Sequence, residues 1–375
     1  MSPVTHAVGG AWRPWFPVFV AALVTLVVLA GLKEAAVGFD LRTVYVPAAE
    51  RVLDGVSPFP AEDDPVWRGH QAYVYPPVTA LLVIPFTELE SPALEYVGVF
   101  TAIAILLLAV WLLGVRDPRC YAVFVLWLPT MTAWQNANVS ALLVLVCALT
   151  WRFRDSWSKE GAALGLGIAL KLVLWPFAIW LLATRRIRGA VAALVVAVAA
   201  ILGSWAAIGF KGFLSYPDLL SMLTDVEGEN SHSVSIFSGA LALGAPPAVG
   251  HLASLAAGGA LLVGVVAYAR RGDDDASFML AVFSALAFAP VVWLHYLALL
   301  VVPVAIYRPR FSGLWAAPLL FWVVAVPGWP VEPRRLVAAV VVTLISVRLL
   351  TRRSSESTIS TTPRGTREPV SGAVP

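Results

Sequence analysis

The sequence predicts an all-α fold, a polytopic bundle of membrane helices, on three observations. Hydrophobic residues make up 59% of the 375 positions and charged residues 13%, and mean hydropathy is +0.81, far outside the range of soluble domains. Apolar runs recur along nearly the whole length between short charged interruptions. Two long polar loops interrupt this rhythm, at about 33–76 and 210–247, and they set the chain apart from a bare anchor or pore.

The first apolar stretch, Trp15 to Leu32, reads as an uncleaved first span. Many hydrophobic segments follow it, and Gly31-Leu32-Lys33 is a poor small-residue cleavage site. Further spans are expected near 77–89, 93–114, 119–134, 138–151, 161–183, 189–209, 248–269, 276–290, 293–307, 312–327 and 334–350, about twelve in all. Several fall short of the roughly 20 residues that cross the hydrocarbon, which suggests a thinned, water-filled cavity or extension by flanking aromatics. Residues 1–353 form one membrane unit, and 354–375, rich in Ser, Thr, Pro and Arg without an apolar period, read as a disordered cytoplasmic tail.

Basic residues in short loops set the orientation. Arg185, Arg186 and Arg188, then Arg270 and Arg271, Arg308 and Arg310, and Arg348, Arg352 and Arg353 mark the cytoplasmic side. Both long loops then lie outside, and the first carries seven acids against four bases, as a translocated loop should. The same count leaves Arg116, Arg119, Arg152, Arg154 and Lys159 outside, against the positive-inside tendency. Either 120–183 contains re-entrant hairpins or these cations have an external anionic partner.

Within the first loop, Pro47 to Asp54 reads as a short helix, with Pro in its first turn and Gly55 just past its end. Ala48, Val52 and Leu53 are expected on the membrane surface, with Glu50, Arg51 and Asp54 toward water. Asp40 follows the first span closely, at the outer rim, where a carboxylate can act as general base or be an ordinary solvated acid. Tyr45, Tyr73 and Tyr75 are interfacial belt residues or sugar-stacking platforms.

Lys171 stands amid apolar neighbours, where an ammonium costs about 2.5–3.5 kcal/mol on insertion scales, so it should face a cavity or an anion. Gln135, Asn136 and Asn138 form a polar knot that either caps a tight turn or binds a ligand. His295, between Trp293 and Tyr296, is an interfacial hydrogen-bonding residue or part of a site. Asn230, Ser231, His232 and Ser233 make a polar cluster in the second loop.

Other functions lack support. A net charge of +3, small and dispersed, argues against nucleic acid, and Cys120 and Cys147 lie in apolar runs without pairing or metal spacing. No cofactor or metal signature is present: there is no phosphate-binding Gly loop, His-x-x-x-His or Cys-x-x-Cys.

In order and spacing these pieces resemble glycosyltransferase family 87, integral membrane mannosyltransferases of GT-C type that use polyprenyl-phosphate sugars. The resemblance runs from Phe39 to Tyr307: Asp40, Tyr45, Ala49, Gly55 and Phe59, then Tyr75-Pro76-Pro77 and Pro85, then Asn136-Ala137-Asn138. Gly165 to Lys171 with Trp175-Pro176 follow, then Asn230 to Ser233 and Trp293-Leu294-His295-Tyr296. Gln135 replaces the family's usual Gly, and His232 stands near its usual Gln.

The resemblance implies a polyprenyl-phosphate sugar donor, a glycolipid or envelope-glycan acceptor and an active site on the external, periplasmic face of the cell membrane. It implies Asp40 as the base of an inverting transfer, and His295 as the group that orients donor or acceptor. Tyr45, Tyr75, Asn136, Asn138, Lys171, Asn230, His232 and Trp293 would contact substrate. The leaving phosphate needs cations, for which Lys171, Arg152 and Arg154 are candidates. The competing readings are a transporter or flippase for a lipid-linked sugar, favoured by Lys171 and the 135–138 knot, and a structural partner in an envelope assembly.

Overall fold

The computed structural model describes residues 37–67, 71–228, 232–324 and 335–346. The expected first span, the 354–375 tail and Asn230 lie outside the described residues. Every regular element among those described is helical. In chain order the α-helices are α1 (Val46–Leu53), α2 (Pro77–Val83), α3 (Ala93–Leu112), α4 (Pro118–Val125), α5 (Leu128–Gln135), α6 (Ser140–Arg152), α7 (Trp157–Leu170) and α8 (Pro176–Ala183). Then come α9 (Ile187–Ala207), α10 (Tyr216–Gly228), α11 (Ile236–Ala242), α12 (Pro247–Arg270), α13 (Asp274–Phe288), α14 (Val301–Tyr307), α15 (Gly313–Ala316) and α16 (Arg335–Ser346).

Three of these, α3, α9 and α12, are long and apolar enough to cross a membrane, and α5 with α6 forms a further apolar pair bent by 114°. Large apolar side chains stay exposed on the outer helices, such as Leu194 at 64% and Val263 at 71%, as expected of faces that meet lipid. The protein is a membrane protein, with its core between the shorter helices and the long ones outside.

Ion pairs and hydrogen bonds locate the two ends of the bundle. Glu95, at the start of α3, lies 3.5 Å from Arg42, two positions after Asp40, and a Cβ at Gly98 would stand 3.1 Å from that of Ala137, ahead of α6. Helices α3 and α6 therefore both run away from the Asp40 end. At the far end Arg154 lies 3.9 Å and Arg186 2.7 Å from Asp274, while Arg186 lies 3.8 Å from Glu160. There too, Asp117 Oδ2 accepts a 3.0 Å hydrogen bond from the Phe311 amide.

These landmarks change two of the expected spans. The 77–89 stretch leaves from Tyr75 at the Asp40 end and returns to Glu95 at the same end, so it does not run between the ends. The 161–183 stretch is a hairpin, rising along α7 to Lys171 and descending through α8 until Arg186 meets Glu160. With both changes Arg116, Arg119, Arg152, Arg154 and Lys159 join the basic loops at 185–188, 270–271 and 308–310 at one end. The 77–89 stretch, outside 120–183, resolves the earlier conflict, and the re-entrant 161–183 hairpin keeps Arg185, Arg186 and Arg188 at the same end as Arg154 and Lys159. Arg154 is engaged with Asp274 far from Asp40, so Arg152 and Arg154 are not phosphate ligands beside it.

Close helix packing builds the hairpin's outer wall. Gly161 and Gly165, four apart on α7, face Ala192, Ala193 and Ala197 of α9; a Cβ at Gly165 would lie 2.6 Å from the Ala193 carbonyl oxygen. Only glycine permits that approach.

The first long loop has a core of its own. A π-helical turn, Leu41–Tyr45, leads into α1, whose Ala48 and Ala49 are buried with Tyr45, Phe59, Tyr73 and Trp205. Of the apolar set expected on the membrane surface only Leu53 remains exposed, while Ala48 is buried and Val52 packs against this core. Gly55, at φ +69°, turns the chain just after α1, as the sequence suggested.

Candidate functional site

The site begins at the break between α5 and α6. Helix α5 ends at Gln135, Ala137 takes φ +50°, and the carbonyls thus freed accept bonds from the first loop: Gly38 N–H to Gln135 O at 2.7 Å, Asp40 N–H to Asn136 O at 3.1 Å. The polar knot is a turn, and its carbonyls hold the loop. Asn138 Oδ1 accepts from the Ser140 amide at 2.8 Å, which starts α6 and fixes which way the carboxamide faces.

That orientation points Asn138 Nδ2 at Asp40 Oδ2, at 2.6 Å, and at the Tyr45 hydroxyl, at 3.1 Å. The Tyr45 hydroxyl also accepts from the Val139 amide at 3.2 Å and lies 3.4 Å from that of Tyr75. Tyr73 is buried and structural, donating to Pro76 O and accepting from the Ala80 amide. Burial pushes the Asp40 carboxyl up to about 6, against the opposing pull of the Asn138 hydrogen bond and the Lys171 charge. Burial likewise raises Tyr45 and takes Tyr75 to about 12, keeping both hydroxyls neutral.

Lys171 occupies the tip of the 157–186 hairpin, where α7 stops and the backbone is extended (φ −156°, ψ 118°) before the 3-10 turn Leu172–Leu174. Its ammonium donates to the Tyr296 hydroxyl and lies over the rings of Tyr75, at 4.8 Å, and Tyr296, at 3.7 Å. Two aromatic faces replace part of the hydration that an apolar depth removes. The expectation that Lys171 faces a cavity is met.

The third wall comes from the break after α13. Pro290 lies in an irregular stretch that accepts a 2.6 Å hydrogen bond from Ser235 Oγ, and the Val234 amide donates to Val292 O at 2.8 Å. Ser233, Ser235 and Ser238 hydroxyls close this joint among themselves. The joint sets up His295, in the 3-10 turn Leu294–Leu300, which is buried with an Nε2 lacking any hydrogen-bond partner among the described residues.

The three walls enclose a cavity of about 850 Å³. Of the residues expected in a site, Asp40, Tyr45, Tyr75, Asn136, Asn138, Lys171, His232, Trp293 and His295 all line it. Tyr216, Phe288 and Trp175 also line it and were not singled out as site residues. Tyr216 in Ser-Tyr-Pro, at the start of an amphipathic stretch in the second long polar loop, was the available signal; Phe288 carried none. Asn138 lines the cavity with both Nδ2 hydrogens already engaged by Asp40 and Tyr45.

Fold and site together define a membrane protein with a largely apolar cavity, holding one carboxylate and one ammonium, recessed into one end of a helix bundle. The profile of glycosyltransferase family 87 matches residues 73–303, which hold every cavity-lining position except Ala72 and those of 39–45. The chain belongs to glycosyltransferase family 87 and is a glycosyltransferase. No curated protein and no solved structure matches it.

Proposed function

We propose that the protein transfers a mannosyl or related glycosyl residue from a polyprenyl-phosphate donor to a glycolipid or cell-envelope glycan, on the external face of a GT-C-type bundle. The observation that carries this reading is one cavity holding both the half-buried carboxylate of Asp40 and the ammonium of Lys171. The basic loops gather at the opposite end, so by the positive-inside tendency the cavity end is external.

Asp40 takes the proton of the acceptor hydroxyl as its oxygen bonds to the anomeric carbon. The bond from that carbon to the phosphate oxygen breaks on the other side, and polyprenyl phosphate leaves with the electron pair. One displacement inverts the anomeric centre. Lys171 balances the charge growing on the leaving phosphate, and its pairing with Tyr75 and Tyr296 holds it in place. His295, through its free Nε2, orients donor or acceptor, while Asn136, His232 and Trp293 shape the acceptor side. The helix breaks at 136–139 and at Lys171 are what a transporter reading would use, but membership in a transferase family favours group transfer.

The test is incorporation of label from radiolabelled polyprenyl phosphomannose into membrane glycolipid and glycan. Asp40→Asn is expected to lose about 10²–10⁴-fold in rate, the usual contribution of a general base. A variant as active as the parent ends this reading.

A further inference from the structure

We propose that Asn138 is a positioning residue: its carboxamide clamps Asp40 through Oδ2 and leaves Oδ1 as the oxygen that meets the acceptor hydroxyl. This rests on the reading of Asp40 as the base.

The geometry leaves Asn138 little else to do. Its Oδ1 is taken by the Ser140 amide, and its Nδ2 hydrogens go to Asp40 Oδ2 and the Tyr45 hydroxyl. The residue is buried, only 4% exposed, on the short turn that separates α5 from α6. The backbone makes the same connection, since the amides of Asp40 and Leu41 both bond to Asn136 O. Asp40 is thus gripped from one turn by main chain and side chain. Its Oδ1 has no hydrogen-bond partner among the described residues.

A carboxylate fixed at one oxygen presents the other in a single direction, which is what proton abstraction requires. The clamp also favours the ionised form, because an N–H donor stabilises charge that burial disfavours. Other charged or titratable groups share the cavity with this carboxyl. Lys171 acts on it from the hairpin tip and Tyr45 and Tyr75 lie against it from the first loop, while His295 and Tyr296 line the cavity from the stretch after α13. The Arg42–Glu95 pair stands just behind it. Of these only Lys171 is a cation that opposes burial directly, so losing Asn138 should leave a measurable gap.

The experiment is a pH titration of the full-length protein in nanodiscs by difference infrared spectroscopy, reading the carboxylic C=O band that disappears in Asp40→Asn. The parent midpoint is expected near 6. Asn138→Leu, similar in shape but without the donors, is expected to raise it by about one to two pH units, the effect of one hydrogen bond to a charged group. A folded Asn138→Leu protein with an unmoved or lowered midpoint overturns the proposal. Should that variant fail to fold, Tyr45→Phe, which removes one anchor of the carboxamide, is expected to give a smaller upward shift, and an unmoved midpoint there overturns it. The spectrum needs no substrate, so its outcome is independent of whether Asp40→Asn abolishes transfer.

Discussion

The Nε of Arg42 lies 3.5 Å from Oε1 of Glu95, although residues 43–94, with the apolar 77–86 stretch among them, separate the two in sequence. An apolar segment whose two flanks meet cannot have crossed the bundle. Single cysteines at Glu62 and Glu90, both exposed, are therefore expected to react with a membrane-impermeant maleimide in intact cells. Cysteines at Arg116 and Ser158 are expected to react only after permeabilisation. The background would carry Cys120→Ala and Cys147→Ala, both native thiols being buried. Labelling of Glu90 and Glu62 from opposite sides would contradict the fold.

Apolar character alone does not reveal this: Pro77 to Phe86 is as apolar as a true span and differs in being shorter and in packing against α1 and α9. The 157–186 hairpin hid for a similar reason: one apolar run broken by a lone lysine reads as one span until Arg186 is seen beside Glu160. The site was more legible. Asp40 is marked by its place at the start of the polar loop and by the family resemblance. Lys171, His295 and the 136–138 knot each violate the local apolar pattern, and a buried polar group in a membrane chain needs a partner. What the sequence could not convey was which partner: the bond from Asn138 to Asp40 appears only in the fold. The apolar lining, such as Phe288, follows the same pattern as any core.

Packing of α7 on α9 gives a second expectation. Gly165→Leu forces a side chain to within 2.6 Å of the Ala193 carbonyl and 2.7 Å of Val196 Cβ, so the helices must separate. Overpacking of this kind costs about 1–3 kcal/mol, seen as a lower unfolding temperature in detergent. Gly203→Ala, on α9 with open space around it, is the control and is expected to be neutral or slightly stabilising. Equal losses in both variants would show that the helix contact is not what Gly165 serves.

Asp40 titrating near 6 fixes the pH dependence of transfer. A base works only when deprotonated, so kcat/KM is expected to rise with pH to a midpoint near 6 and then level. Below that midpoint it should fall about tenfold per pH unit, as the unprotonated fraction does. Asp40's raised value places the limb roughly two units above an exposed aspartate. A profile flat from pH 5 to 7 would mean that another group carries the proton.

Lys171 gives the sharpest test of donor binding, because its ammonium is the cation among the cavity-lining residues and is supported by two tyrosine rings. Lys171→Met keeps length and apolar volume but removes the charge that would face phosphate. A charge-assisted contact is worth about 1.5–3 kcal/mol, so kcat/KM for the polyprenyl-phosphate sugar is expected to fall roughly 10–100-fold. If the ammonium holds the donor equally in ground and transition states, the loss appears in KM; if it answers charge developing on the leaving phosphate, it appears in kcat. The second outcome is expected here, since bond cleavage concentrates charge on the phosphate oxygen that departs. Lys171→Arg should recover part of the rate, the guanidinium supplying charge but fitting less well between Tyr75 and Tyr296. Unchanged kinetics in Lys171→Met would remove the phosphate from this wall of the cavity and leave the lysine as a purely structural partner of Tyr296.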